Sequence, residues 1–279
     1  MKRLIATAAA FAMVTALTTG AAQAKAADPV AALAAQLKSA HGVHFSSVSK
    51  LEPNLGFKSR SYGDLQFGRS RVTASDVITV SASDGSAPKE LTELFGEFSD
   101  TPSQTINLKG ATYMSGGLVD WLDLPAGKSW IRLKGKGNAS GLGGTALNAL
   151  SPKELRTLLK STTSKKPGGV VNGVATTLYT GKQRLDLSEI GLDLIWTTNW
   201  KLWIGTQDGL IRRIATHDVL YAPPSAGQRE SKVVLSSDTH LTGWGKKVWI
   251  DAPAEKFVQD LEDDLLGKPN VVGIINLGD

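Results

Sequence analysis

One stretch, residues 199–214 (NWKLWIGTQDGLIRRI), restricts the fold more than any other. Trp200, Leu202 and Ile204 share one parity, so in a strand they point to one face of a sheet. Asp208-Gly209 follows, a dipeptide that favours a hairpin because glycine tolerates positive φ. The returning arm carries Arg212 and Arg213 and alternates less cleanly. A hairpin with so much tryptophan and leucine on one face needs a large apolar surface to pack against. An antiparallel sheet covered on one side supplies it.

The remaining segments repeat this theme. Residues 43–50, 65–67 and 77–80 read as strands. Lys109-Gly110 and Asn172-Gly173 are hairpin turns, the second of the Asn-Gly type that suits a I′ geometry. Residues 129–133, 175–179 and 248–250 read as further strands, and Val233, Leu235 and Leu241 mark a long one. Four amphipathic helices are expected between them. Asp28-Pro29 opens the first, with Leu33 and Leu37 on its apolar stripe. Residues 86–98 form the second. Ser151-Pro152-Lys153-Glu154 has the pattern of a capping box, with Leu155, Leu158 and Leu159 behind it. Pro253 opens the last, with Phe257, Val258, Leu261 and Leu265 facing one way. The fold class is therefore α+β, with helices packed on one face of an antiparallel sheet.

The amino terminus has the marks of an export leader. Lys2 and Arg3 precede an apolar run over residues 4–17, and Ala22-Gln23-Ala24 is a cleavage signal. The expected organisation is a leader over 1–24, one domain over 25–267 and an irregular tail over 268–279. Without the leader the chain has 29 basic and 26 acidic residues. That balance, with no basic block interleaved with aromatics, argues against nucleic acid. The small clusters Arg132, Lys134, Lys136 and Lys160, Lys165, Lys166 read as solvated faces. Cysteine is absent, which excludes disulfides, thiol nucleophiles and cysteine-held metals.

Motifs for catalysis fail on context. Ala126-Gly127-Lys128-Ser129 resembles the end of a P-loop, yet Leu122 stands where a glycine is required and a strand follows. The glycines from Gly141 to Gly144 lack a parallel βαβ unit. Ser47 and Lys50 have the spacing of a serine acyl-enzyme motif without its partner motifs. His41 and His44 have no supporting carboxylate pattern for a metal, and Asp120 and Asp123 read as exposed loop acids. The expectation is a protein that is not an enzyme and uses no cofactor or metal.

Several short motifs fall in an order that resembles a known family. They are Trp130-Ile131-Arg132-Leu133, the Ser151 helix, Gly173 through Tyr179, Leu202-Trp203-Ile204 with Asp208-Gly209-Leu210 and Arg212-Arg213-Ile214, and Gly245 through Ile250 followed by Pro253. The chain resembles the actinobacterial envelope lipoproteins of the LppX/LprG type and, more distantly, the carriers LolA and LolB. It departs from them in having no lipobox cysteine. The resemblance implies a U-shaped antiparallel half-barrel whose concave face is covered by helices, with an acyl-chain cavity between. It implies an exported, monomeric carrier of a lipid or similar apolar ligand, in contact with an envelope protein or the membrane surface. Strand parity places Ile131, Leu133, Val174, Leu178, Leu202, Ile204, Val233 and Leu235 on one wall of that cavity. Leu155, Leu158, Leu159, Phe257 and Leu261 form the other wall. The competing expectation is an envelope interaction or sensor domain whose core is filled by tryptophans.

Overall fold

The computed structural model describes residues 27–38, 40–52, 56–83, 101–135, 149–186, 194–222 and 231–261. Two meanders make a single twelve-stranded sheet. The first comprises β1 (His41–Glu52), β2 (Phe57–Phe67), β3 (Val72–Ser83), β4 (Ser103–Leu108), β5 (Ala111–Gly116) and β6 (Trp130–Lys134). The second comprises β7 (Thr162–Val171), β8 (Val174–Asp186), β9 (Ile195–Gly205), β10 (Ile211–Ala222) and β11 (Ser231–Lys247). A short β12 (Val258–Asp260) adds to β6 in parallel, and every other pairing is antiparallel. The order is β12-β6-β5-β4-β3-β2-β1-β11-β10-β9-β8-β7. The two meanders therefore meet where β1 pairs with β11.

This order explains where the second helix lies. β6 sits near one edge of the sheet and β7 at the other. The connection between them must cross a face of the sheet, and it carries α2 (Pro152–Lys160). The first helix, α1 (Pro29–Gln36), precedes β1 and packs beside α2. Asp28 caps α1, its Oδ1 accepting from Val30 N at 2.9 Å. Ser151 makes no such bond to α2, so the expected capping box is absent. Buried Leu155 and Leu158 hold that helix instead.

Both helices share one core with the sheet. Leu33, Leu37, Leu155 and Leu158 join Val43, Phe45, Leu65, Phe67, Val77, Trp200, Leu202, Ile204, Ile214 and Leu241 in a single buried cluster. Trp200, Leu202 and Ile204 point to one face as their parity requires, and all three are buried. Trp200 lies so close to Gly181 that a β-carbon there would stand 2.1 Å from its ring. The Asn172-Gly173 turn has φ of 50° and 77°, the I′ pattern that the sequence predicts. A smaller cluster of Ile106, Tyr113 and Val258 lies on the opposite face near β12.

Two further expectations need correction. Pro253 does not open an α-helix: residues Glu255–Phe257 form one 3-10 turn, and β12 follows. The reason is a competing edge. Ser129 N donates to Phe257 O and Leu261 N to Arg132 O, so the β6 edge captures the segment in extended form. Residues 248–250 are not a strand, because β11 ends at Lys247. Of the expected helices, that over 86–98 lies outside the described residues, as do Leu265, Lys136 and the 268–279 tail. Two α-helices are present among the described residues. None of the described helices is long and apolar enough to cross a membrane.

Candidate functional site

The face of the sheet that meets the helices changes character along its strands. At one end it is the packed core just described. Two residues further along β1 the side chains become hydroxyls. Ser47 opposes Ser61 on β2 and Thr239 on β11, and Ser61 opposes Thr79 on β3. The next row is Ser49 with Ser59, Ser81, Ser237 and Thr216. Directly opposed residues share a face, so these two rows form a band of neutral hydroxyls across β3, β2, β1, β11 and β10. The hydroxyls bond in pairs: Ser47 with Thr239 at 2.8 Å, Ser61 with Thr79 at 2.9 Å, and Thr216 with Ser237 at 2.8 Å. The Ser47–Thr239 and Ser61–Thr79 pairs each keep lone pairs and a rotatable hydrogen for a further partner.

Beyond the band the face turns apolar again. Leu51 opposes Phe57 and Leu235, and Leu220 opposes Val233 and Trp196, which in turn opposes Leu185. Leu185, Trp196, Val233 and Leu235 are 58%, 37%, 36% and 38% exposed. A contiguous apolar rim left open to this degree marks a binding surface more often than isolated exposed residues do. A cavity of about 440 Å³ lies over the band and rim, lined among others by Ser49, Leu51, Phe57, Ser59, Ser81 and Leu235. It sits about 13–20 Å along β1 from Phe45, at 3.3 Å per residue.

Asp218 stands at the boundary between band and rim and is buried. Its carboxylate accepts from Thr198 Oγ1, from Trp196 Nε1 at 3.1 Å and from Thr216 Oγ1 at 2.9 Å. Three donors are what a buried carboxylate requires. They occupy Asp218 structurally and also fix the Trp196 ring at the rim. On the other side of the sheet, Arg213 is held protonated more firmly than an ordinary guanidinium by its bonds to Asp238. Its guanidinium stacks 4.4 Å above the Trp203 ring.

The predicted cavity walls fare unequally. Leu202, Ile204, Leu155 and Leu158 are core residues packed solid, and Leu159 packs against them. The space under the helices, where an acyl cavity was expected, is filled there. Leu235 lines the cavity and Val233 lies in the rim. Ile131 and Leu133 share the helix-bearing face, opposing Met114 and Thr112. Val174 and Leu178 belong to the opposite face, because it is Tyr179 that opposes Leu202 and Thr177 that opposes Ile204. A one-residue difference in register inverts every side chain. Phe257 is exposed with Lys256 over its ring, and Leu261 follows β12, so neither forms a helical wall. The expected solvated cluster of Arg132 and Lys134 is instead ion-paired, to Asp260 and, for Arg132, to Glu255. The signal missed in the sequence is the recurrence of serine and threonine at alternate positions in three successive strands: 47 and 49, 59 and 61, 79 and 81.

Fold and site together define an open, mostly antiparallel sheet with one helix-packed face that is partly apolar and partly hydroxylated. No family model and no curated protein sequence matches the chain. Among solved structures it is similar to a DUF1329 family protein from Desulfovibrio piger, with 13% identity and a TM-score of 0.24 over 81% of this chain and 96% of that one. It is also similar to a LolA superfamily protein from Nitrosomonas europaea, with 8% identity and a TM-score of 0.25 over 87% of this chain and 97% of that one.

Proposed function

We propose that the protein binds an amphiphilic ligand on the helix-bearing face, without chemical turnover. The apolar chain lies along the rim of Leu185, Trp196, Val233 and Leu235, and the polar part rests on the hydroxyl band. The observation that carries this reading is the exposed apolar rim adjoining a 440 Å³ cavity. That volume falls in the range of small-molecule sites, roughly 300–1,000 Å³. Burying ten methylenes would contribute about 8 kcal/mol, which the loss of translational freedom largely offsets. Hydrogen bonds from the band then decide whether binding is tight. In this reading the chain is an exported carrier of the LolA-like half-barrel kind, as the resemblance to LppX/LprG-type lipoproteins implies, and the Ala22-Gln23-Ala24 signal supports release from a leader after Ala24.

The test is displacement of a fluorescent fatty acid by wild type and by the Val233→Asp, Leu235→Asp double variant. Both positions are partly exposed, but Leu235 opposes buried Asp218, so the urea midpoint of the variant is measured alongside and binding is read on folded protein. Binding by wild type and a loss of at least about tenfold in the variant are expected, from desolvating two carboxylates against a chain. A second reading, an interaction domain with a filled core, is favoured by the solid packing of Trp200, Leu202 and Ile204 under the helices. It takes precedence if wild type binds no chain length, or if the variant binds equally well.

A further inference from the structure

The opposite face of the sheet carries charge that its own structure does not balance. Lys50 on β1 and Lys58 on β2 are directly opposed, and Arg60 is the diagonal neighbour of Lys50. Like charges directly opposed across strands destabilise a sheet. Their partners on β3 give no relief, because Lys58 opposes Ala82 and Arg60 opposes Val80. At the far side of the same face, Lys182 and Arg184 on β8 and Lys201 on β9 share the parity of Leu178 and Trp203. Five of these six side chains are exposed and Lys58 is half-buried. None of the six forms an ion pair among the described residues. The nearby acids are committed: Asp64 to His44 at 3.2 Å, Asp76 to Gln104 at 2.7 Å, and Asp238 to Arg213. Lys50 and Arg60 open into a cleft of about 640 Å³ that His240, Tyr62, Ser236 and Asp238 also line, the Asp238 carboxylate being paired with Arg213.

We propose that this face docks on a bilayer containing anionic lipid, with a headgroup phosphate seated in the cleft beside Lys50 and Arg60. The cations stand in two groups that together span β2 to β8, five strand spacings or about 24 Å at 4.8 Å per strand. That breadth fits a planar anionic surface better than the narrow track of a nucleic-acid backbone. Tyr62, exposed amid the cations, is a side chain suited to the headgroup level. Lys50 and Lys58 also border the 440 Å³ cavity, whereas Lys182, Arg184 and Lys201 do not, so the second cation group separates this inference from ligand binding on the helix-bearing face.

Vesicle co-sedimentation decides it, with phosphatidylcholine alone and with added phosphatidylglycerol. Wild type should bind the anionic vesicles only, and less as salt rises. Each cation near such a surface is worth about fivefold in partitioning, so the Lys50→Gln, Lys58→Gln, Arg60→Gln variant should lose roughly a hundredfold. Its melting temperature should hold or rise, because a repulsion has been removed; fatty-acid binding is compared in the Lys182→Gln, Arg184→Gln, Lys201→Gln variant, whose positions lie outside the 440 Å³ cavity, and there it should match wild type. The Lys182→Gln, Arg184→Gln, Lys201→Gln variant should lose a similar amount, and Lys109→Glu in the β4–β5 turn should lose nothing. Equal binding to neutral vesicles, retained binding by either triple variant, or binding to duplex DNA without binding to vesicles overturns the proposal.

Discussion

Asp218 shows how one side chain ties packing to the site. It is a carboxylate beside the neutral hydroxyl band, and three donors from β9 and β10 converge on it. Replacing it with alanine removes the acceptor that Thr198, Thr216 and Trp196 share, leaving Trp196 Nε1 only Thr198 Oγ1 and Thr216 only Ser237. The expected loss of stability is at least about 2 kcal/mol, seen as a lower urea midpoint at unchanged slope. Asparagine keeps an acceptor oxygen and should lose less. Because Trp196 Nε1 is one of the three donors, Asp218→Ala should also loosen the rim and weaken fatty-acid binding. A variant with wild-type midpoint would show that the network contributes nothing.

At the scale of elements, β12 is the clearest case of a segment shaped by its neighbour. Three residues cannot hold a strand alone. Arg132 and Lys134 on β6 grip Asp260, and Lys128 Nζ donates to Val258 O at 2.6 Å. The Arg132 guanidinium, and after it the Lys134 ammonium, hold the Asp260 carboxyl well below the ordinary aspartate range. A carboxyl lowered in the folded state stabilises it at pH above its unfolded value, near 4, and that contribution is lost as pH falls further. Protection of the Leu261 and Ser129 amides should therefore persist from neutral pH to about 4 and decline below it. Asp260→Asn should show reduced protection already at neutral pH, with no acid-dependent step. Acid-independent protection in wild type would place the grip elsewhere. The edge strand β7 uses the opposite device: Pro167, Lys165 and Lys166 blunt it against further pairing.

For the whole molecule, the seam between β1 and β11 decides whether two meanders behave as one unit. Phe45 lies on that seam, opposes Leu241, and is fully buried in the cluster that both helices share. Phe45→Ala should cost about 3–5 kcal/mol. It should lower amide protection in β2 and in β9 alike, because the core runs through both meanders. Loss confined to the first meander would mean that the halves fold separately.

Much of this architecture was legible in the chain itself. The Trp200-Leu202-Ile204 parity, the Asn172-Gly173 turn, the Lys109-Gly110 hairpin and the Leu155–Leu158 stripe are local patterns, and each is fixed by backbone sterics or by a period of two or 3.6 residues. The sequence alone thus determined most of the strands, most turns and which side of β9 is buried. It did not determine which strands meet. The pairing of β1 with β11 joins residues about two hundred positions apart, and only that pairing lines Ser47 up with Thr239 and Leu51 with Leu235. The hydroxyl band, the rim and the opposed Lys50 and Lys58 exist as surfaces because of these registers. The β12 segment was misread for the same reason: its apolar spacing fits a helix, but the open β6 edge offers backbone partners that an isolated helix of that length cannot match. Local periodicity determines how a segment would fold alone, whereas long-range register determines which side chains become neighbours, and in this protein both proposed binding surfaces depend on register.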